Sequence, residues 1–133
     1  MPKLRTYNLV AEFSSPKAYL EKPLSFLQRK SMAKLRLGVL PIRLETGRFE
    51  RPKLPADQRL CQQCSLGVPE DEVHFTLECP RNSILREKLL RHTIASFQSL
   101  NSMEKLKYLL NDSEIVKQTS QFVIDAFDNR LII

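Results

Sequence analysis

This sequence has no long apolar run, few cysteines and few glycines. Its longest apolar stretches, such as Leu37 to Ile42, are far too short to span a bilayer. The first ten residues lack the apolar segment of a signal peptide, so we expect an intracellular protein with no membrane partner. The three cysteines are an odd number, which argues against a disulfide framework, and the three glycines form no phosphate-binding loop.

The remaining composition is that of a folded protein. The chain has 133 residues, of which 42% are hydrophobic and 27% charged, values typical of a globular protein of one domain or slightly more. No strand pairs with hairpin turns and no internal repeats are present. We therefore predict a mainly α fold, a small helical bundle with an irregular metal-binding knuckle, preceded by a basic helical N-terminal arm.

All three cysteines lie in one 19-residue window together with one of the two histidines. Cys61, Cys64, His74 and Cys79 have the spacing C-x2-C-x9-H-x4-C. Three thiols and one imidazole are the ligand set of a structural zinc site, in which no coordination position is left open. The alternatives are buried or redox-active cysteines beside an unrelated histidine, and a real site that only stabilises the fold.

Residues around this window favour a metal site. Pro80 suits the first position of a helix, which places Cys79 at a helix N-terminus where a thiolate is stabilised. Gly67 and Pro69 are typical of the turn between the two ligand pairs. We predict that the acidic run of residues 70–72 is the solvated start of a short helix carrying His74.

Positive charge is concentrated before this window. Residues 29–59 contain nine basic and three acidic residues, whereas residues 60–133 contain eight basic and ten acidic ones. A basic segment leading into a zinc knuckle is typical of a nucleic-acid-binding protein. The alternative is an ordinary solvated helix face.

Helix signals divide the rest of the chain. We predict an extended lead-in over residues 1–13, a short helix from Ser15-Pro16 to about Lys22, and a longer helix over residues 24–37 that ends at Gly38. The apolar side of the longer helix would include Leu24, Phe26, Leu27, Met32 and Leu35. A short helix after Pro41 and an irregular linker over residues 49–59 complete the first region, residues 1–58.

The second predicted region, residues 59–133, contains the knuckle and a bundle of three helices. The first of these helices would run from Pro80 to about Phe97, with Ile84, Leu85 and Leu89 on its apolar side. Asn101-Ser102 and Asp112-Ser113 would cap the next two. The core-facing residues of the last helix repeat at spacings of three and four: Ile115, Val116, Thr119, Phe122, Val123, Ala126 and Phe127. His92 is expected to be an ordinary helix residue, since it follows a complete set of four ligands.

Several of these stretches resemble a known family. KLRTY near the start, LRLGVLPIRLETGRF at residues 35–49 and HFTLECP at residues 74–80 resemble the C-terminal region of non-LTR (LINE-type) retrotransposon polyproteins, which follows the reverse transcriptase domain. The resemblance covers residues 3–92. It implies a zinc-binding module that helps the enzyme of the element to hold RNA or target DNA.

The resemblance assigns roles to individual residues. The metal ligands of the family match Cys61, Cys64, His74 and Cys79, and its basic block corresponds to Lys34, Arg36, Arg43, Arg48 and Arg51. Two features depart from the pattern. Nine residues separate Cys64 from His74, more than in a retroviral-type knuckle, and the polymerase and endonuclease motifs of such elements are absent from this sequence.

Three functions are compatible with these observations. The first is a non-enzymatic, zinc-stabilised module that binds RNA or DNA largely through phosphates, with Phe49 as the one candidate for base stacking. The second is a zinc-stabilised scaffold that binds a reverse transcriptase domain or another protein, and the third is a decayed fragment without selected function. A catalytic zinc is disfavoured, because four protein ligands leave no room for substrate.

Overall fold

The computed structural model describes residues 24–130. The predicted lead-in and the predicted helix after Ser15 lie outside this range. Within it, the predicted mainly α fold is confirmed, and the only β-type pairing is an isolated antiparallel bridge between Leu60 and Pro69. The α-helices are α1 (Phe26–Leu37), α2 (Arg43–Thr46), α3 (Ser83–Leu90), α4 (Ser102–Asn111) and α5 (Val116–Arg130). Shorter helical turns are found at Gly47–Phe49, Ala56–Gln58, His74–Glu78, Pro80–Asn82 and Ala95–Ser99.

Helix α1 begins and ends at local signals in the sequence. The Gln28 N–H donates to Ser25 Oγ at 3.1 Å, and the Ser25 N–H donates to Gln28 Oε1 at 3.0 Å, so that each residue caps the other. Gly38 ends the helix at a φ of 72°, a left-handed conformation that costs glycine little. The predicted end of this helix is therefore confirmed.

The buried side of α1 agrees with the predicted one in part. Met32 and Leu35 are fully buried, whereas Phe26 is 76% and Leu27 59% exposed. The inward stripe passes through Gln28, Met32 and Leu35 at helical spacings, and positions 26 and 27 point away from that stripe. The first turn of α1 thus presents apolar side chains to solvent.

One hydrophobic core holds the helices together. Helix α1 packs mainly on α5, and α3 and α4 also pack against α5. The core takes Met32 and Leu35 from the first predicted region and Val123 and Ala126 from the second. Residues on both sides of the predicted boundary at residue 58 therefore share this core, which buries the basic segment's apolar side chains against the C-terminal helix.

The linker before the knuckle is irregular, as predicted, and is fastened by one buried side chain. Arg59 is only 3% exposed. It donates from Nε to the Leu54 carbonyl at 2.9 Å and from Nη1 to the Leu44 carbonyl at 2.8 Å. Its stem lies so close to Gly47 that an added Cβ there would be 2.5 Å from Arg59 Cγ. The linker is thereby bound to α2 and the turn that follows it.

Helix α3 is shorter than predicted. It ends at Leu90, where the Thr93 hydroxyl donates to the Leu90 carbonyl at 2.7 Å. The chain then turns so that Phe97 enters the core, with its ring 5.7 Å from that of Tyr108. Ile84, predicted on the apolar side, is 74% exposed. The predicted extension to Phe97 was wrong because burying Phe97 requires the chain to leave the helix.

The last two helices follow their predicted pattern. The Glu104 N–H donates to Asn101 Oδ1 at 2.8 Å, and Glu104 Oε1 accepts from the Asn101 N–H, so Asn101 caps α4 as expected. Asp112 Oδ1 accepts from the Glu114 N–H at 2.8 Å just before α5. Apolar side chains of α5 at spacings of three and four are buried, including Val116, Phe122, Val123 and Ala126.

Candidate metal centre

The structure brings the four predicted ligands together. One ligand atom from each of Cys61, Cys64, His74 and Cys79 lies within 4.8 Å of the other three. Cys61 Sγ is 3.9 Å from Cys79 Sγ, and Cys64 Sγ is 3.5 Å from His74 Nε2. Cys64 is half-buried and the other three are buried. Four soft donors that face one point, shielded from water, form a site that can hold a metal ion.

The first ligand pair is carried by a reversed loop over residues 60–69. The Cys61 N–H donates to the Val68 carbonyl at 2.8 Å, next to the bridge between Leu60 and Pro69. Gly67 has a φ of 70°, as the predicted turn requires. The Gln63 N–H donates to Cys61 Sγ at 3.4 Å. Backbone donors of this kind stabilise a thiolate, and they orient its sulfur.

The second ligand pair depends on a π-helical turn over His74–Glu78. Asp71 Oδ1 accepts from the His74 N–H at 2.8 Å, and the Cys79 N–H donates to the His74 carbonyl at 2.7 Å. In an α-helix, residues five apart point about 140° away from each other. The wider turn, with its i to i+5 hydrogen bond, brings the His74 and Cys79 side chains to the same side.

This wider turn leaves two carbonyls without their usual partners. In an α-helix the Phe75 carbonyl would accept from the Cys79 N–H, but here that N–H donates to the His74 carbonyl. The Thr76 carbonyl would accept from the N–H of residue 80, which is a proline and has none. One side chain from the turn Pro80–Asn82 and one from α3 replace these donors. Asn82 Nδ2 donates to the Phe75 carbonyl at 3.1 Å, and Arg86 Nε donates to the Thr76 carbonyl at 2.9 Å.

Arg86 also reaches a ligand residue directly. Its Nη2 donates to the Cys79 carbonyl at 2.6 Å, so one guanidinium holds the π-helical turn and the backbone of Cys79 together. Its positive charge lies beside a cluster that three thiolates would make negative. Neither Arg86 nor Asn82 was predicted as part of the site, because their role depends on a turn that cannot be read from ligand spacing. The absence of an N–H at Pro80 is the only signal of it in the sequence.

Replacing Arg86 with alanine is expected to weaken metal binding without abolishing it. The variant loses the donors to two carbonyls and a compensating charge, and loss of such an outer partner typically costs about 10- to 100-fold in affinity. Competition for Zn²⁺ against a chromogenic chelator measures the change. Arg91→Ala, an exposed arginine just beyond α3, is the matched control. Equal affinity of the two variants would contradict the role given to Arg86.

His74 is positioned by burial and by one nearby carboxylate. It is 1% exposed, and its Nε2 faces Cys64. Its Nδ1 is buried without a hydrogen-bond partner, and Glu78 Oε1 is 3.6 Å away. This arrangement leaves Nε2 as the donor to a metal ion and Nδ1–H facing the carboxylate, which is the usual orientation of a metal-bound histidine.

Burial favours the neutral form of two of the three thiols. Burial raises the pKa of the Cys61 thiol to about 12, and burial also raises the pKa of Cys79. A divalent cation reverses this effect, because a coordinated thiol is deprotonated. Without a cation, two buried thiols, one half-buried thiol and a buried imidazole nitrogen with no hydrogen-bond partner lie close together. The geometry is compatible with a bound metal ion.

The acidic run before His74 is not solvated as predicted. Glu70 is 2% and Glu72 3% exposed. Glu70 Oε1 accepts from the Arg43 N–H at 2.7 Å, and its carboxylate pairs with the Arg130 guanidinium at the end of α5. This carboxylate caps the start of α2. It is also paired with a guanidinium, because a buried charge needs a partner of opposite charge. Glu70 thus joins the basic segment, the knuckle and the last helix.

The five predicted nucleic-acid-binding residues lie in different environments. Arg36 is 1% exposed and donates from Nη1 to Asn111 Oδ1, so its side chain has no access to phosphates in this structure. Lys34 lines a groove between α1 and α5. Arg43 is paired with Glu50 at 2.6 Å, Arg48 with Glu45 at 3.2 Å, and Arg51 is exposed.

Arg48 lies beside a projecting aromatic ring, and Arg51 follows that ring two residues later in the chain. Phe49 is 72% exposed, and the Arg48 guanidinium is 5.8 Å from its ring centroid. The chain folds back after this ring, since the Leu54 N–H donates to the Gly47 carbonyl at 3.3 Å. We call this region the Phe49 surface, formed by Arg43, Arg48, Phe49, Arg51 and Lys53. Within this surface Arg51 and Lys53 are exposed, whereas the side chains of Arg43 and Arg48 are 14% and 24% exposed.

No protein-family model, curated protein or solved structure matches this chain. The resemblance to LINE-type polyproteins therefore stays a prediction from the quoted residues. None of the helices among residues 24–130 combines the length and apolar character needed to cross a membrane.

Proposed function

We propose that this chain is a non-enzymatic module in which a structural zinc ion fixes the knuckle, and that it binds nucleic acid through the Phe49 surface. The observation that carries the proposal is a Cys3His cluster of four protein ligands next to a basic segment that is hydrogen-bonded to the knuckle. We infer an intracellular location, since three thiols kept for metal suit a reducing compartment.

The ligand distances favour zinc. Zn–S bonds of about 2.3 Å and Zn–N bonds of about 2.0–2.1 Å, at tetrahedral angles, place two sulfurs about 3.8 Å apart and a sulfur and a nitrogen about 3.6 Å apart. The corresponding distances are 3.9 Å between Cys61 and Cys79 and 3.5 Å between Cys64 and His74. Thiolate-rich tetrahedral sites select zinc over the oxygen-preferring cations.

The site supports a structural role more than a catalytic one. Four protein ligands fill a tetrahedron, whereas a catalytic zinc keeps one position for water or substrate. Glu78 is the nearest carboxylate to the imidazole, and it faces Nδ1, away from the metal side. A general base for a zinc-bound water would have to approach that side.

Hydrogen bonds connect the knuckle to the basic segment. The Leu44 N–H donates to the Glu70 carbonyl at 2.9 Å, and the Glu70 N–H donates to the Arg59 carbonyl at 3.1 Å. A metal ion that orders residues 60–80 therefore also orders α2 and the arginines around it. Arginine binds phosphate through charge and paired hydrogen bonds, which supports nucleic acid as the partner.

Neutralising the Phe49 surface is expected to reduce nucleic-acid affinity and its salt dependence. For Arg43→Gln, Arg48→Gln and Arg51→Gln combined, we expect the slope of log K against log salt to become less steep by about 2. Each phosphate that is no longer neutralised reduces the magnitude of this negative slope by about 0.7–0.9. Fluorescence anisotropy with a labelled oligonucleotide between about 50 and 200 mM salt measures it. The control neutralises three exposed basic residues elsewhere, Lys88, Arg91 and Lys117.

Two results would count against this proposal. Wild-type protein that carries zinc but binds no nucleic acid at low salt would remove the binding function. Equal reductions in the two triple variants would show that binding follows total charge and has no defined surface. The measured slope of the wild type gives the number of phosphates contacted.

A protein-binding scaffold is the second candidate, and one feature favours it. A groove of about 360 Å³ between α1 and α5 is lined by apolar side chains, among them Leu40, Val123 and Phe127, together with Lys30 and Lys34. The resemblance to LINE-type polyproteins makes a reverse transcriptase domain the first protein partner to test. If this protein is pulled down by such a domain and binds no nucleic acid, the scaffold function is favoured.

A further inference from the structure

We propose that the nucleic acid bound at the Phe49 surface is single-stranded, and that one unpaired base stacks on the Phe49 ring. This inference rests on the nucleic-acid-binding function proposed above and specifies its ligand. It is carried by an exposed phenyl ring that has the Arg48 guanidinium 5.8 Å from its centroid and is followed in the chain by the exposed Arg51 and Lys53.

The ring is exposed but its attachment is fixed. Phe49 ends the turn Gly47–Phe49, and the N–H groups of Glu50 and Leu54 donate to the Gly47 carbonyl at 3.4 and 3.3 Å. The buried Arg59 stem packs on Gly47 from the other side. The backbone that carries the ring is therefore held from two directions, so that ordering the ring for a ligand costs little conformational entropy.

The charges around the ring suit a polynucleotide backbone. Arg43, Arg48, Arg51 and Lys53 contribute four positive charges, and Glu45 and Glu50 contribute two negative ones that pair with Arg48 and Arg43. An arginine has five N–H donors, so a single carboxylate contact leaves others for phosphate. Arg51 and Lys53 are exposed. An apolar protein partner would gain little from such a polar rim.

A phenyl ring can stack only on a base whose face is open. In a duplex both faces of each base are covered by neighbouring bases, whereas single strands expose them. Base stacking on aromatic side chains tolerates any sequence, because every base has a π-face. The Phe49 surface therefore favours single strands of RNA or DNA without strong sequence preference.

Binding of short labelled oligonucleotides to zinc-loaded full-length protein tests this inference. Oligo(dT), oligo(U) and a DNA duplex are compared for wild type, Phe49→Ala and Phe26→Ala. Phe26 is matched in type and is 76% exposed, but it lies on the first turn of α1. We expect Phe49→Ala to lose about 10- to 100-fold in single-strand affinity and little in duplex affinity, and Phe26→Ala to bind as wild type.

A tryptophan variant provides a direct signal of stacking. The natural chain contains no tryptophan, so Phe49→Trp introduces a single indole whose fluorescence reports only this position. We expect quenching when a single strand binds and retained affinity. Zinc content and thermal melting confirm that each variant is folded.

The outcomes separate the inference from the function on which it rests. Wild type that binds no nucleic acid at low salt overturns both. Binding that is sensitive to the arginines but unchanged in Phe49→Ala, or equally strong for duplex and single strand, overturns base stacking and leaves the binding module intact. A reduction that is equal in Phe26→Ala and Phe49→Ala also overturns the assignment of the ring.

Discussion

Cys79→Ser is expected to abolish stoichiometric zinc binding and to unfold a large part of the protein. Cys79 is fully buried, and its sulfur lies 3.9 Å from Cys61 Sγ. It also ends the π-helical turn and precedes α3. Structural zinc contributes an apparent binding free energy of about 10–16 kcal/mol, comparable with the whole stability of about 5–15 kcal/mol of a typical domain. Loss of the ion therefore leaves little to hold the knuckle.

Native mass spectrometry and thermal melting followed by circular dichroism measure these effects. We expect one zinc per wild-type chain and none in the variant, with a much lower melting temperature. His92→Ala, which replaces the exposed histidine outside the cluster, is the matched control and should keep zinc and stability. A wild-type chain that is folded without metal, or a serine variant that keeps one zinc, would contradict the proposed site.

Glu70→Ala is expected to destabilise the fold by about 3 kcal/mol, the second-largest effect. Removing one member of a buried ion pair leaves the other charge uncompensated, and such losses amount to about 3–5 kcal/mol. Arg130 stacks on Phe75, with its guanidinium 5.3 Å from the ring centroid, so it cannot turn to water without leaving that ring. The Arg43 N–H at the start of α2 also loses its acceptor.

Glu50→Ala is the control for this prediction. Its carboxylate is 45% exposed and pairs with Arg43, so its removal should cost less than about 1 kcal/mol. Urea unfolding of zinc-loaded protein gives both values from the shift in midpoint at constant slope. Similar values for the two variants would show that Glu70 does not connect the basic segment to α5 in the way its contacts indicate.

Local signals predicted much of this fold. The Asn101-Ser102 cap placed α4, a glycine ended α1, and a stripe at spacings of three and four identified the buried side of α5. The knuckle was predicted because its four ligands lie in one short window. Each of these features depends on residues close in sequence, and the physical interactions behind them act over one or two turns.

Features that depend on distant residues were missed or predicted wrongly. Arg36 has the sequence context of a solvated helix face, but it is buried because Asn111 of α4 accepts its hydrogen bond. The partner of Glu70 lies at the end of α5, so its burial could not be anticipated from the acidic run around it. The end of α3 was predicted too late in the chain, because tertiary packing places Phe97 in the core.

The aromatic neighbour of His74 determines whether the proposed zinc site could be transferred to another protein. Phe75 follows His74 directly, is fully buried, and has its ring 5.1 Å from that of Phe127 and 5.8 Å from that of Phe122. Both partners belong to α5, far along the chain. A peptide cut around the four ligands would leave Phe75 without its surroundings. This knuckle is therefore unsuited to grafting as an autonomous finger into other scaffolds, because its folding unit includes the C-terminal helix.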